Sequence, residues 1–210
     1  DEYSLVEQSN QPATIKVIGV GGGGCNSVRR MSEGNLHGVE LIAVNTDLQH
    51  LRSHCRADYL VQIGIESAKG QGAGSKPDAG RKAAEEDIAN IKERIQGADL
   101  LFIAAGMGGG TGTGAAPVIA KVARELGILT VAVVTRPFKF EGRARLQSAE
   151  AGLAELAQYV DSLILIPNDK LLSTLPPNTR FEDAFAECDN VLYNAVKGIS
   201  DIIMMPGIVN

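Results

Sequence analysis

Six short apolar runs, rich in β-branched residues, recur along the chain: Ile15–Val20, Val39–Val44, Tyr59–Ile63, Leu100–Ala105, Ile128–Val134 and Ser162–Ile166. Runs that stay apolar instead of alternating with polar residues predict strands covered on both faces, as in a parallel sheet. Helical segments lie between them. Asn26–Glu33 follows the first run, Asp78–Gln96 spaces its charges for a solvated face, and Ala115–Leu126 carries Val118, Val122 and Leu126 on one stripe. Arg145–Tyr159 repeats Leu146, Ala149, Leu153 and Leu156 at three-to-four spacing, and Gly97 and Gly127 stand where helix C-caps are expected. Such alternation implies right-handed crossovers and a doubly wound α/β sheet.

The last segment predicts one long helix over 179–205. Thr179-Arg180-Phe181-Glu182 fits a capping box, and Phe181, Ala184, Phe185, Cys188, Val191, Leu192, Ala195, Ile199, Ile202 and Ile203 then recur at helical spacing until Pro206-Gly207. So wide a stripe predicts a helix between two layers, one of them supplied by chain beyond Asn210. The chain begins with Asp1 instead of methionine and stops straight after this helix, as a piece of a longer protein would. The expected organisation is a loosely held tail over 1–13, an α/β ligand-binding domain over 14–178, and the central helix leading to an absent carboxyl-terminal domain.

Glycine placement is the second constraint. Of 24 glycines, 15 fall in three windows, 19–24, 64–74 and 106–114, each after a predicted strand. Gly19-Val20-Gly21-Gly22-Gly23-Gly24 matches GxGxxG at the first strand-to-helix turn, where absent Cβ atoms let backbone N–H groups approach an anion. Alone, that spelling also describes a tight turn, and Lys69-Gly70-Gln71-Gly72-Ala73-Gly74 also describes a flexible connection. Gly106-Met107-Gly108-Gly109-Gly110-Thr111-Gly112-Thr113-Gly114 runs from a buried strand into a helix whose early turn holds Pro117. Ordering each glycine costs up to ~1 kcal/mol relative to alanine, which a need for exposed amides explains.

Three glycine loops at the carboxyl ends of neighbouring strands converge on the crevice of an open, Rossmann-like six-stranded sheet, mainly parallel, with helices on both faces. Three loops suit a triphosphate. No GxxxxGK followed by Ser or Thr occurs, so the phosphate charge must be met by amides, a helix dipole, Mg²⁺ and at most an arginine such as Arg145. A formal net charge of -5 offers no concentrated basic face for nucleic acid. Three cysteines without a CxxC pair predict reduced thiols in a cytosolic protein, and no apolar stretch approaches the ~18 residues of a membrane span.

Gly108–Gly114 resembles the tubulin signature. Gly21–Asn26, Asn45-Thr46-Asp47, Pro137-Phe138-Lys139-Phe140-Glu141-Gly142 and Ile166-Pro167-Asn168-Asp169 resemble the FtsZ family of bacterial tubulin homologues, and the resemblance runs through residues 13–210. It implies the GTP-binding domain of a GTPase that polymerises into the bacterial division ring. Gly22, Gly23, Gly24, Asn26, Gly109, Gly110, Thr111 and Gly112 would then hold the phosphates, with Ala73 and Gly74 towards the γ-phosphate. Asn45 and Asp47 would lie near Mg²⁺, through water, and Pro137, Glu141 and Arg145 would join the nucleotide-binding set, the latter two at the ribose and phosphates.

Asn168, Phe185 and Asp189 would take the guanine, with Phe185 and Asp189 on one side of a helix. Their chemistry fits: an aromatic ring stacks on a base, and a carboxylate accepts from the N1–H and N2–H₂ donors of guanine. The implied cofactors are GTP or GDP, with Mg²⁺ held by phosphates and water and no direct protein ligand. The implied partners are further copies in a filament and division-machinery proteins, in the cytoplasm at midcell, without nucleic acid or membrane insertion. An acidic catalytic loop would lie beyond Asn210, leaving no catalytic residue here and little turnover alone.

Plainer readings stand beside these. Phe185 and Cys188 also suit the core of an amphipathic helix, and Cys25 has no histidine placed by sequence to activate it. His50, His54 and Cys55 have a spacing that hints at metal, yet three ligands without a second pair predict solvated loop residues. Lys82, Glu85, Glu86, Asp87, Lys92, Glu93 and Arg94 read as a wet helix face or a filament contact. An NAD-dependent oxidoreductase would explain GxGxxG and Asp47 but neither later glycine loop, and a scaffold merely stabilised by nucleotide is the third reading.

Overall fold

The computed structural model describes residues 12–34 and 36–204, so most of the expected tail and the Pro206-Gly207 stop lie outside the described residues. Six strands, β1 (Ile15–Val20), β2 (Val39–Asn45), β3 (Tyr59–Gln62), β4 (Leu100–Gly106), β5 (Leu129–Arg136) and β6 (Ser162–Pro167), form one sheet in the order β3-β2-β1-β4-β5-β6. Every pairing is parallel. Strands β1 and β4 are the central pair, and Ile15 of β1 lies opposite Val39 on one side and Leu100 on the other.

Among the described residues, eight α-helices connect and cover the strands: α1 (Gly21–Glu33), α2 (Leu48–His54), α3 (Pro77–Glu86), α4 (Ile88–Ile95), α5 (Thr111–Glu125), α6 (Arg143–Leu156), α7 (Asn168–Leu172) and α8 (Phe181–Met204). Because successive strand residues point to opposite faces, each strand feeds two cores. Ile18, Val20, Ile42, Leu101, Ile103 and Val134 pack under α3, α4, α5 and α6. Ile15, Val17, Leu41, Phe102 and Val133 pack under α1 and α8, where Val28, Met31, Leu192 and Val196 meet them. That double coverage is why the strands lack polar alternation.

Several helices start earlier than periodicity predicts, because glycine runs that read as loops adopt helical backbone. Helix α1 begins at Gly21 and α5 at Thr111, which places Pro117 inside α5 instead of in its first turn. Helix α6 starts at Arg143 and ends at Leu156. Gly127 closes α5 at φ 71°, and Ile128 N–H reaches back to the Ala123 carbonyl, a left-handed glycine cap.

The predicted helix Asp78–Gln96 is two helices. Asp87 leaves helical geometry at φ -112°, ψ 27°, and its carboxylate accepts the Gly64 N–H at 2.7 Å. Glu86 accepts the Glu66 and Ser67 amides at 2.7 and 3.2 Å, so these two acids clamp the loop after β3 instead of merely facing water. The predicted capping box of the last helix does not form: the Thr179 hydroxyl donates to the Pro176 carbonyl, and Arg180 pairs with Asp183 at 3.0 Å. Along α8 the buried stripe is Ala184, Cys188, Leu192, Val196 and Ser200, a four-residue step narrower than the predicted face, and Phe181 and Ile202 stay exposed.

Periodicity also missed α2. His50 and His54 stack across one turn of it with ring centroids 5.0 Å apart, so both are helical and only His54 is exposed, while Cys55, just past the helix, is buried instead of solvated.

Candidate functional site

Strand order reverses between β1 and β4, whose outgoing turns carry the first and third glycine windows. The two turns touch: a Cβ on Gly21 would sit 2.8 Å from Gly112 N, and one on Gly23 would sit 3.3 Å from Gly106 Cα. The second window leaves β3 at the sheet edge, two strands from β1, so the three loops do not come from neighbouring strands. It reaches inward because Leu48 N–H donates to the Gly70 carbonyl at 3.1 Å, Asp47 bridges Gln71, and Ala73 lies against Gly110. Thr46 and Thr111 hydroxyls, 2.7 Å apart, join the same corner.

Over this corner opens a cleft of about 370 Å³, within the range of small-molecule sites. Of the predicted residues, Gly22, Gly23, Asn26, Ala73, Gly109, Gly110, Thr111, Gly112, Pro137, Glu141, Arg145, Asn168, Phe185 and Asp189 line it. Gly24, Asn45, Asp47 and Gly74 do not. Gly24 packs where a Cβ would run into the Ala104 carbonyl oxygen, letting α1 lie close on β4. Asn45 Oδ1 accepts the Thr46 and Asp47 amides at 2.9 and 3.3 Å, and Asp47 caps α2 by accepting the His50 N–H at 2.9 Å. Its place outside the cleft lining counts against Asp47 as the ribose acid of a dinucleotide site.

The cleft wall also includes Ser75, Met107, Thr135, Cys188 and Leu192. Thr135 was legible as a polar residue at the carboxyl end of a buried run; Cys188 and Leu192 were readable only as core, since they share the α8 stripe.

The two ends of the cleft differ in chemistry. At the glycine end, a Cβ on Gly22 or Gly109 would meet nothing within 4 Å, so the space beside these two backbone positions is open. At the other end, the Phe185 ring sits edge-on to Phe138 at 5.2 Å, and Asn168 Oδ1 is buried with no hydrogen-bond partner among the described residues. Asp189 Oδ1 lies 2.8 Å from the Ser27 hydroxyl, which donates to it. Burial pushes the Asp189 carboxyl up to about 6, against the pull of Ser27, Arg29 and Arg30. Between the ends, Glu141 accepts the Phe138 N–H at 2.8 Å and pairs with Arg145 at 2.8 Å. Burial and the neighbouring Asp189 push the Cys188 thiol up to about 12, so it stays protonated.

An all-parallel sheet whose order reverses beneath a glycine-walled cleft defines the doubly wound α/β class that binds ligands at its switch point. Residues 14–176 match the Tubulin/FtsZ family, GTPase domain, and the chain belongs to that family. It is 56% identical over 208 residues to the cell division protein FtsZ of Pseudomonas aeruginosa, covering 99% of this chain and 52% of that protein. To FtsZ of Neisseria meningitidis serogroup B it is 53% identical over 204 residues, covering 97% of this chain and 52% of the relative. The chain therefore spans about half the length of the curated relatives it matches. A solved FtsZ dimer from M. jannaschii, described as empty, superposes with TM-score 0.90 at 44% identity over 96% of this chain and 58% of that one. CetZ2 from Haloferax volcanii shares the fold, with TM-score 0.82 at 23% identity over 93% of this chain and 60% of that one.

Proposed function

We propose that the cleft binds GTP or GDP, and that the chain is the nucleotide-binding part of a longer protein that assembles into filaments at the division site and hydrolyses GTP between subunits. One observation carries this reading: the cleft has uncrowded backbone at Gly22 and Gly109 and, in the same lining, an unpartnered Asn168 Oδ1 and the Asp189 carboxylate. Amides freed of side chains suit phosphate oxygens. A carboxylate acceptor suits the N1–H and N2–H₂ edge of guanine, whereas adenine presents a ring acceptor there.

Mg²⁺ accompanying the phosphates would neutralise part of their charge. Asp47 lies outside the cleft lining and Glu141 is held by Phe138 and Arg145, which favours an ion held by phosphates and water. In this reading Gly74, Asn45 and Asp47 act by shaping the second loop and the β2–α2 turn, and the chain's own residues bind and orient the nucleotide. The acids that complete hydrolysis come from a neighbouring copy, and division-machinery proteins meet the assembled protein in the cytoplasm at midcell. No described helix is long and apolar enough to cross a membrane.

Calorimetry with GTP, ATP and NAD tests the assignment. Tight GTP binding with much weaker ATP and NAD is expected; preference for NAD would favour a dinucleotide enzyme, and no binding would leave only a scaffold.

A further inference from the structure

Outside the cleft, three side chains that the nucleotide reading leaves unused converge behind the first glycine loop. Cys25 of α1, His50 of α2 and Cys55 immediately after α2 bring two sulfurs and one imidazole nitrogen within 4.8 Å of one another. Cys55 Sγ lies 3.8 Å from His50 Nδ1, and Cys25 Sγ lies 3.7 Å from the Val44 carbonyl oxygen. All three cysteines of the chain are free, but only these two face each other; Cys188 belongs to a separate cluster with Phe138 and Ala184. We propose that Cys25, His50 and Cys55 form a zinc site of the Cys₂His type, closed by one water.

Geometry comes first. A tetrahedral zinc with bonds of about 2.3 Å to sulfur and about 2.0 Å to nitrogen sets its ligand atoms roughly 3.3 to 3.8 Å apart. The side chains need to close by only about 1 Å to reach that span, and cysteine and histidine χ1 rotations supply such a movement. The stacked His54 ring steadies the imidazole plane. A bound ion displaces the Asn45 Nδ2 contact, 3.4 Å from His50 Nδ1, and replaces the thiol protons that Cys25 donates to the Val44 carbonyl and Cys55 to the His50 carbonyl.

Charge selects the ion. Two thiolates and a neutral imidazole around a divalent cation sum to zero, which suits a site whose two sulfurs are buried. A monovalent thiophilic cation would leave a net negative charge there, and harder divalent ions prefer oxygen. Arg29, one helical turn beyond Cys25, favours the Cys55 thiolate. His50 is only partly buried, which opens an entry route from solvent.

The site has a structural reach. Cys25 directly follows Gly24 of the first loop, and α2 begins at the turn whose Asp47 bridges Gln71 of the second. A bound ion would staple α1 to α2 between those loops.

The test uses the reduced, chelator-stripped chain titrated with Co²⁺ and then Zn²⁺. One Co²⁺ per chain, with thiolate-to-cobalt charge-transfer absorption and the strong d–d bands of a four-coordinate ion, is expected, and Zn²⁺ should bleach both. Cys55→Ser and His50→Ala should each abolish the charge-transfer band or weaken Zn²⁺ binding by about tenfold or more. His50→Ala alters a partly exposed ring and keeps the test readable if a buried-cysteine variant fails to fold. A wild-type titration without a charge-transfer band, or a variant that leaves both the band and the Zn²⁺ affinity unchanged, overturns the proposal.

Discussion

A Cβ added to Gly114 would overlap the Pro77 carbonyl oxygen and stand 2.6 Å from the Arg81 nitrogen, whereas one added to Gly22 or Gly109 would meet no atom within 4 Å. The same residue type thus answers two demands. Gly114→Ala should destabilise the nucleotide-free chain by about 1–3 kcal/mol through overpacking of α5 on α3. Gly22→Ala and Gly109→Ala should hold stability within about 0.5 kcal/mol or gain slightly, yet weaken GTP at least about tenfold if phosphate lies on those amides. Thermal melts without nucleotide and calorimetry with it separate the two groups; undiminished GTP affinity in Gly22→Ala would remove that glycine from the phosphate wall. Asp189 gives a second residue-scale expectation. Its carboxyl rises from 3.8 to about 6 on folding, so the native state holds the proton more tightly than the unfolded chain. That contribution to stability is therefore fully present below pH 3.8 and lost as pH rises through about 6, up to roughly 3 kcal/mol in all. Asp189→Asn should flatten this slope in urea unfolding, stabilise the empty chain at pH 7 by about 1–3 kcal/mol, and lower the GTP-over-ATP preference by a similar amount.

At the scale of elements, what was legible was whatever one residue pattern decides alone. All six strands lie where β-branched apolar runs predict them, because double coverage leaves that pattern unbroken. Boundaries and joints failed where a distant partner decides. Nothing local to Asp87 announces that it will leave the helix to accept Gly64, 23 positions earlier. Thr179 spells a cap but finds the Pro176 carbonyl first. Helix α2 is too short for a period to show, which concealed that Cys55 turns inward. The cleft was readable from its glycines and from spacing on α8. Gly24 and Asp47 carried the same kind of signal while serving packing and capping, a distinction that only the neighbours of their atoms reveal. Asp87→Ala should cost about 1–2 kcal/mol by orphaning the Gly64 amide. Hydrogen exchange would show it: the Gly64 N–H should speed up with the loop after β3, and an unchanged rate would mean that the α3–α4 joint does not depend on this bond.

For the molecule as a whole, the parallel sheet gathers its chemistry-bearing turns along one rim. If hydrolysis belongs to assemblies, the chain alone should turn GTP over very slowly even when saturated. Rapid first-order turnover, independent of protein concentration, would place a complete catalytic apparatus within these residues and contradict the shared-site account. Helix α8 ties that rim to the opposite edge. Asp189, near its start, faces the cleft; Tyr193 donates to the Gly34 carbonyl at 2.8 Å; and Met204, at its end, fills the space that a Cβ on Gly38 would occupy. At 24 residues it is a rod of about 36 Å. From Asp189 to its tip the rod extends about 22 Å, so a tilt of about 5° at the cleft would move the exposed Ile202 and Ile203 by about 2 Å.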